Sequence, residues 1–200
     1  MKYTASLKKY ELVEDDFILH EGRKLYRIRS LKEFGSNCNR SANIIITEGQ
    51  LGGYVEGYHN LSQEGKCWVY DDSKVYGNAR VLDNATLLST STVYGNAVIK
   101  DDALIYQSKV YDNAVVIGDS FISYSKVHNN ARIERKEDMT RTKVIESVIY
   151  DNANIIAEVI SHSEIFDNAK VSGESRETVS KEVIYVPIAY KSKISNNSII

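Results

Sequence analysis

Val75-Tyr76-Gly77-Asn78-Ala79 returns as Val93-Tyr94-Gly95-Asn96-Ala97, then as Val110-Tyr111-Asp112-Asn113-Ala114 and Val127-His128-Asn129-Asn130-Ala131. It returns twice more, as Ile149-Tyr150-Asp151-Asn152-Ala153 and Ile165-Phe166-Asp167-Asn168-Ala169. The starts lie 18, 17, 17, 22 and 16 residues apart. A period of this size marks a solenoid, in which each repeat buries its apolar face only by stacking on its neighbours.

A finer period of six runs inside the unit. Val69, Val75, Val81, Leu87, Val93, Ile99 and Ile105 are branched aliphatics, and four residues after each of the first six stands Ser73, Ala79, Ala85, Ser91, Ala97 or Ala103. Cys67 falls on the same small-residue register upstream. An aliphatic in the first place and a small residue in the fifth is the hexapeptide pattern of a left-handed parallel β-helix. Three short strands and three corners then close one triangular coil. Each aliphatic points inward and stacks on its equivalent at the inter-strand spacing of about 4.8 Å. The small residue fits near a corner where nothing larger does. Asp-Asn and Gly-Asn pairs suit the tight turn because Gly, Asn and Asp adopt positive φ readily. The stacked Asn78, Asn96, Asn113, Asn130, Asn152 and Asn168 are placed for a side-chain hydrogen-bond ladder. Ile105–Lys109, Ile122–Lys126 and Ile160–Glu164 hold five residues where six are expected, each with Ser in fourth place (Ser108, Ser125, Ser163), which reads as one corner tightened repeatedly.

The expected fold is therefore all-β: a single-stranded left-handed parallel β-helix of about six coils over residues 57–175. Residues 1–56 form a β-rich N-terminal cap and 176–200 an irregular C-terminal cap or tail. Caps are needed because a solenoid ends in open strand edges. In the N-terminal cap Tyr10–Val13, Phe17–His20, Lys24–Ile28 and Ile44–Thr47 read as strands. Glu21-Gly22 reads as a hairpin turn, Gly52-Gly53 as a further turn and Ser36–Ser41 as a loop. Val183–Tyr190 reads as a closing strand.

Composition narrows the function classes. Two hundred residues carry 25 basic and 27 acidic groups, a formal net charge of -2, which argues against direct, mainly electrostatic nucleic-acid binding. No apolar run is long enough to span a bilayer. The segment Met1-Lys2-Tyr3-Thr4-Ala5-Ser6-Leu7-Lys8-Lys9 lacks the apolar stretch of a secretory signal, so a cytoplasmic protein is expected. Cys38 and Cys67 have neither metal-ligand spacing nor the pattern of a disulfide framework and read as reduced structural thiols.

Catalytic motifs are sparse. There is no phosphate-binding loop and no nucleophile elbow. Of His20, His59, His128 and His162, none has an orienting acid evident from spacing. Asp71-Asp72 and Asp101-Asp102 are explained by use at corners. No catalytic residue, metal site or cofactor is assigned on these grounds.

Two features are candidate binding elements instead. Tyr76, Tyr94, Tyr111, His128, Tyr150 and Phe166 follow the inward aliphatic by one residue, so they point outward and stack into an aromatic column. Such a column stabilises the sheet and offers the aromatic side chains enriched at interfaces, to a protein partner or to a second copy in a homo-oligomer. The longest coil contains the charged run Ile133–Lys143, in which Arg135, Lys136, Arg141 and Lys143 are candidate contacts on a loop.

Leu51-Gly52-Gly53-Tyr54-Val55-Glu56, Asn60-Leu61-Ser62-Gln63-Glu64-Gly65 and Trp68-Val69-Tyr70, with the earlier Tyr26-Arg27-Ile28-Arg29-Ser30-Leu31, resemble the YdcK-like β-solenoid family over roughly residues 24–175. The chain departs from the family pattern in its longer Gly35–Gln50 link and in its C-terminus. The resemblance implies a bacterial or phage protein with many VYGNA-type repeats. Family members carry a transferase label because acyltransferases share the fold, and a fold alone is weak warrant for an activity. Three functions compete: a non-catalytic binding protein of a phage or mobile element that occupies a host protein, for example by inhibiting a defence complex such as CRISPR; a structural or virion-associated module; and an acyltransferase-like enzyme.

Overall fold

A computed structural model describes residues 8–36, 44–135, 141–173, 176–179, 182–185, 189–190 and 192–195. Every regular element among them is a strand. The strands from Leu51 onward, Arg176–Val179 and Glu182–Tyr185 apart, stack in parallel as three faces of a left-handed β-solenoid of about seven turns. The first face runs through Leu51–Val55, Lys74–Val75, Thr92–Val93, Lys109–Val110, Lys126–Val127, Val148–Ile149, Glu164–Ile165 and Lys193–Ile194. The second runs from Arg80–Val81 through Val98–Ile99 and Val115–Ile117 to Lys170–Gly173. The third runs from Trp68–Val69 through Thr86–Leu88 and Leu104–Tyr106 to Ala189–Tyr190.

The hexapeptide reading holds in the packing. Val69, Val75, Val81, Leu87, Val93, Ile99 and Ile105 are fully buried, as are Cys67, Ala79, Ala85 and Ala97. Register between coils is strict, with Val75, Val93, Val110 and Val127 in line. Most of the described corners repeat one left-handed residue per coil. They are Gly77, Gly95, Asp112, Asn129, Asp151 and Asp167 between the first and second faces, and Asp83, Asp101 and Gly118 between the second and third. Between the third and first faces they are Asp71, Ser89, Gln107, Tyr124, Glu146 and His162.

Carboxylates at these corners accept hydrogen bonds from the next coil. Asp71 takes the Ser89 N–H at 3.0 Å, Asp101 the Gly118 N–H at 3.1 Å and Asp112 the Asn129 N–H at 3.2 Å. The asparagine ladder is complete, each amide donating to the next from Asn78 to Asn168 at 2.9–3.1 Å.

The tightened corner has its own ladder, in the interior. Ser108 Oγ accepts from the Ser125 N–H, Ser125 Oγ from the Ser147 N–H and Ser147 Oγ from the Ser163 N–H, each at 3.0 Å. Each hydroxyl in turn donates to the carbonyl two residues before it. The small residue at this corner is thus polar for a reason: its hydroxyl satisfies a buried backbone donor that a shorter turn leaves over.

The N-terminal cap extends the first face. Tyr10–His20 is one strand, irregular between Val13 and Phe17, paired antiparallel with Arg23–Ser30, which pairs with Leu51–Val55. Glu21 and Gly22 form its turn, both at positive φ. Phe34–Ser36 pairs with Ile44–Ile46, whereas most of the expected loop Ser36–Ser41, and Cys38 with it, lies outside the described residues.

Gly52 and Gly53 do not form a turn; they lie within a strand. A Cβ on Gly53 would stand 2.5 Å from the Ser73 carbonyl oxygen, and one on Gly52 2.6 Å from that of Val69. Glycine is required there by the close approach of the cap to the first coil.

Asn60–Gly65 ties the cap down. Gln63 accepts the Lys9 N–H at 2.7 Å, the Tyr10 hydroxyl donates to the Leu61 carbonyl at 2.7 Å, and Asn60 donates to the Gly77 and Ala79 carbonyls. The buried Lys9 ammonium donates to the carbonyls of Glu64 and Cys67 and lies 3.2 Å from the Cys67 sulfur. Burial lowers the Lys9 pKa and raises that of the Cys67 thiol.

At the other end Arg176–Val179 and Glu182–Tyr185 form a hairpin. The chain then returns to the rod. Ala189–Tyr190 pairs with Val159–Ser161 and Lys193–Ile194 with Glu164–Ile165. These two rungs make the turn beyond the six expected, so part of the segment expected as a tail continues the solenoid.

Candidate functional site

The outward residue after each aliphatic of the first face forms the expected column. Ring centroids are 5.1 Å apart for Tyr76–Tyr94, 4.9 Å for Tyr94–Tyr111 and 4.7 Å for Tyr111–His128. His128–Tyr150 and Tyr150–Phe166 are each 5.1 Å apart, and no pair departs from parallel by more than 6°. The rung spacing imposes this face-to-face stack, although isolated aromatic pairs favour offset or edge contacts. The ring faces are spent on one another, so the column presents ring edges and hydroxyls.

Both ends of the column are closed. His20 meets Tyr76 edge-on at 5.3 Å and Glu21 accepts the Tyr76 hydroxyl at 3.0 Å, which leaves Tyr76 buried at 3% exposure beneath the cap hairpin. At the far end the Lys193 ammonium lies 5.1 Å over the Phe166 ring and 3.1 Å from Glu164, which accepts the Tyr150 hydroxyl at 2.8 Å. The accessible stretch is therefore Tyr94, Tyr111, His128 and Tyr150, all half-buried. Burial raises the Tyr94 and Tyr111 pKa values, with lesser contributions from Tyr111 and Asp112 respectively. Burial and then the bond to Glu164 push Tyr150 up to about 12, while Tyr150 and Lys193 hold Glu164 below its ordinary value.

Beside this stretch, on the same face, Lys109 and Lys126 stand in register on adjacent coils. Both are exposed, and neither has an ion pair among the described residues. The sequence reading did not single them out. Their signal was their place, one residue before Val110 and Val127 in the strands that carry the column.

The charged run separates into parts. Arg141 forms an ion pair with the buried Asp119, and it is held against the rod rather than presented. Arg135 packs its Cβ beside Gly118, and Lys143 is exposed within the strand Thr142–Ile145. Lys136 lies outside the described residues.

One histidine acquires partners that spacing did not disclose. His162 occupies a left-handed corner position at φ 52°, one coil beyond Glu146 at the same corner. Its Nε2 lies 2.9 Å from Glu146 Oε2, and its Nδ1 lies 2.7 Å from the hydroxyl of Ser161. The signal is the 16-residue coil that puts an acid directly beneath an imidazole. By contrast His59 reaches a backbone carbonyl, that of Gly77, at 2.8 Å. Among the described residues no group of three His, Cys, Asp or Glu is placed to hold a metal ion. No helix among them is long and apolar enough to cross a membrane.

No family model matches the chain. A curated protein of Escherichia coli (strain K12) named "Uncharacterized acetyltransferase YdcK" is 28% identical over 112 residues, 52% of this chain and 31% of that protein. The chain thus spans about a third of the relative's length. This partial similarity, taken with the solenoid, fits a hexapeptide-repeat β-helix family.

Proposed function

We propose that the chain is a binding protein that docks an acidic protein surface on its first face. The observation that carries this reading is the pairing of the accessible Tyr94–Tyr150 stretch with the exposed, adjacent Lys109 and Lys126. Two ammonium groups held one rung apart repel each other and favour an anionic partner. The ring edges and hydroxyls beside them supply a contact surface whose conformational entropy is already spent by stacking. In concrete form the protein occupies a site on a host protein, as a phage or mobile-element product inhibiting a defence complex would. That form draws only on the family resemblance.

Acyl transfer is the second reading. It is supported by the relative's printed name and by the Ser161–His162–Glu146 chain of hydrogen bonds.

The binding reading is tested by immobilising the full chain, capturing partners from host lysate and repeating the capture with two variants. Lys109→Glu with Lys126→Glu is expected to weaken capture of the dominant partner at least about tenfold, and rising salt to do the same to the wild type. Tyr94→Ala with Tyr111→Ala is expected to abolish capture while leaving the circular dichroism of the rod in place. Capture that is indifferent to both variants and to salt would sink the proposal.

A further inference from the structure

Ser161, His162 and Glu146 lie in the order hydroxyl, imidazole, carboxylate, at 2.7 Å and 2.9 Å. This is the arrangement in which a base is oriented by an acid and activates a hydroxyl. Each member is fixed by the solenoid. Ser161 ends the strand Val159–Ser161 in register with Ile145 below and Tyr190 above. The His162 N–H donates to the Ile145 carbonyl at 3.0 Å, which locks the corner on which the imidazole sits. Glu146 is held in the same way by its N–H on the Ser123 carbonyl at 3.0 Å. Ser161 is 8% exposed, while the His162 and Glu146 side chains are 40% and 53% exposed, so the relay lies at the surface with its hydroxyl set back.

We propose that Ser161 is a nucleophile toward small activated acyl esters and thioesters, with His162 as its general base and Glu146 as the positioning residue. In the step, Ser161 Oγ bonds to the acyl carbon and its proton passes to His162 Nδ1. The bond from the acyl carbon to the leaving oxygen or sulfur breaks with its electron pair, and His162 returns the proton to the departing alcohol or thiol. Water then adds to the acyl-serine ester, giving up its proton through His162. The carboxylic acid leaves and the serine is regenerated.

The surroundings also set the tempo. The N–H of His162 is bonded to Ile145 and that of Ser163 to the Ser147 hydroxyl, so neither is available to a developing oxyanion. Loss of one such donor costs about 10²–10³ in rate in enzymes that have it. A good leaving group is therefore required, and the acyl-serine accumulates rather than turning over quickly. Ser161, His162 and Glu146 are not residues of the binding face, so failure of either reading leaves the other standing.

The test treats the full chain with p-nitrophenyl acetate, and separately with a fluorophosphonate, and maps the adduct by peptide mass spectrometry. One acetyl group on Ser161 is expected. S161A is expected to lose the adduct and H162Q to form it at least ~100-fold more slowly. E146Q should form it more slowly and E146D should recover part of the rate, whereas a merely structural role for Glu146 would leave the rate of a folded E146Q unchanged. Circular dichroism of each variant, compared with that of the wild type, separates loss of the adduct from loss of the fold. Adducts confined to lysine or tyrosine, or an unchanged rate in S161A, would overturn the proposal.

Discussion

A tyrosine in the column differs from a tyrosine in water chiefly in the cost of charging it. Tyr94 and Tyr111 each have a ring on both faces, and Tyr150 gives its proton's hydrogen bond to Glu164. An ordinary tyrosine ionises near ~10. A group whose folded pKa lies above its unfolded one binds more protons when folded. The stability it contributes is then fully present below about pH 10 and is lost as pH climbs through the raised values. We expect the tyrosinate absorbance of the column to rise only above the ordinary tyrosine value, with Tyr150 near its value of about 12. Unfolding should accompany this late rise. In Y150F the late component should shrink; a single stage at the ordinary value in the wild type would remove the ionisation argument. The column itself was readable from the one-residue offset after each aliphatic. Its closure by His20 and Lys193 was not, because both arrive from segments outside the repeat.

At the scale of elements, the junction between cap and rod rests on glycines that touch backbone. Gly53→Ala places a methyl group 2.5 Å from the Ser73 oxygen and 2.6 Å from Val69 Cγ1, and neither can retreat without moving a core strand. Gly35→Ala meets nothing within 4 Å. The first substitution is expected to cost about 2–4 kcal/mol, in the range of severe overpacking, and the second to lie within about 0.5 kcal/mol of wild type. Urea midpoints of the two variants would check this, and equal midpoints would mean that the cap does not sit as described. A pair of glycines between strand-like runs reads as a turn because turns are the commonest use of glycine. What distinguishes a close approach is the identity of the opposing segment, which local sequence does not contain. The serine corner was half legible for a related reason. Ser108, Ser125 and Ser163 mark five-residue spacings, whereas Ser147 falls in the coil whose length is disguised by the charged run. The hydroxyl-to-amide ladder that unites them is a relation between coils. The Ser161–His162–Glu146 arrangement escaped notice in the same way, since two coil equivalents must be superposed before the acid appears.

For the molecule as a whole, each coil contacts chiefly the coils before and after it, so the stability of the rod is a sum of neighbour terms. Val110 lies mid-rod and is fully buried between Val93 and Val127. Val110→Asp buries an unpaired carboxylate there and is expected to destabilise by at least about 3 kcal/mol, separating the rod into two halves that melt independently or not at all. One cooperative transition at the wild-type temperature would refute the inward assignment. This level was the most legible of the three, because a period repeated along the chain is evidence summed over every copy, while a cap or a corner occurs once. The same register has a further use. The 22-residue coil keeps Arg132–Glu134 and Thr142–Ile145 in line with the coils on either side, Ile133 against Val116 and Ile155, and Val144 against Ile122 and Ile160. The rungs on either side of the longer segment thus keep their register without a fault. The rod therefore carries a splice point at which segment length is decoupled from architecture. Because loop closure becomes more costly only slowly with length, a foreign peptide can be displayed there while the ladders on the first face keep their spacing.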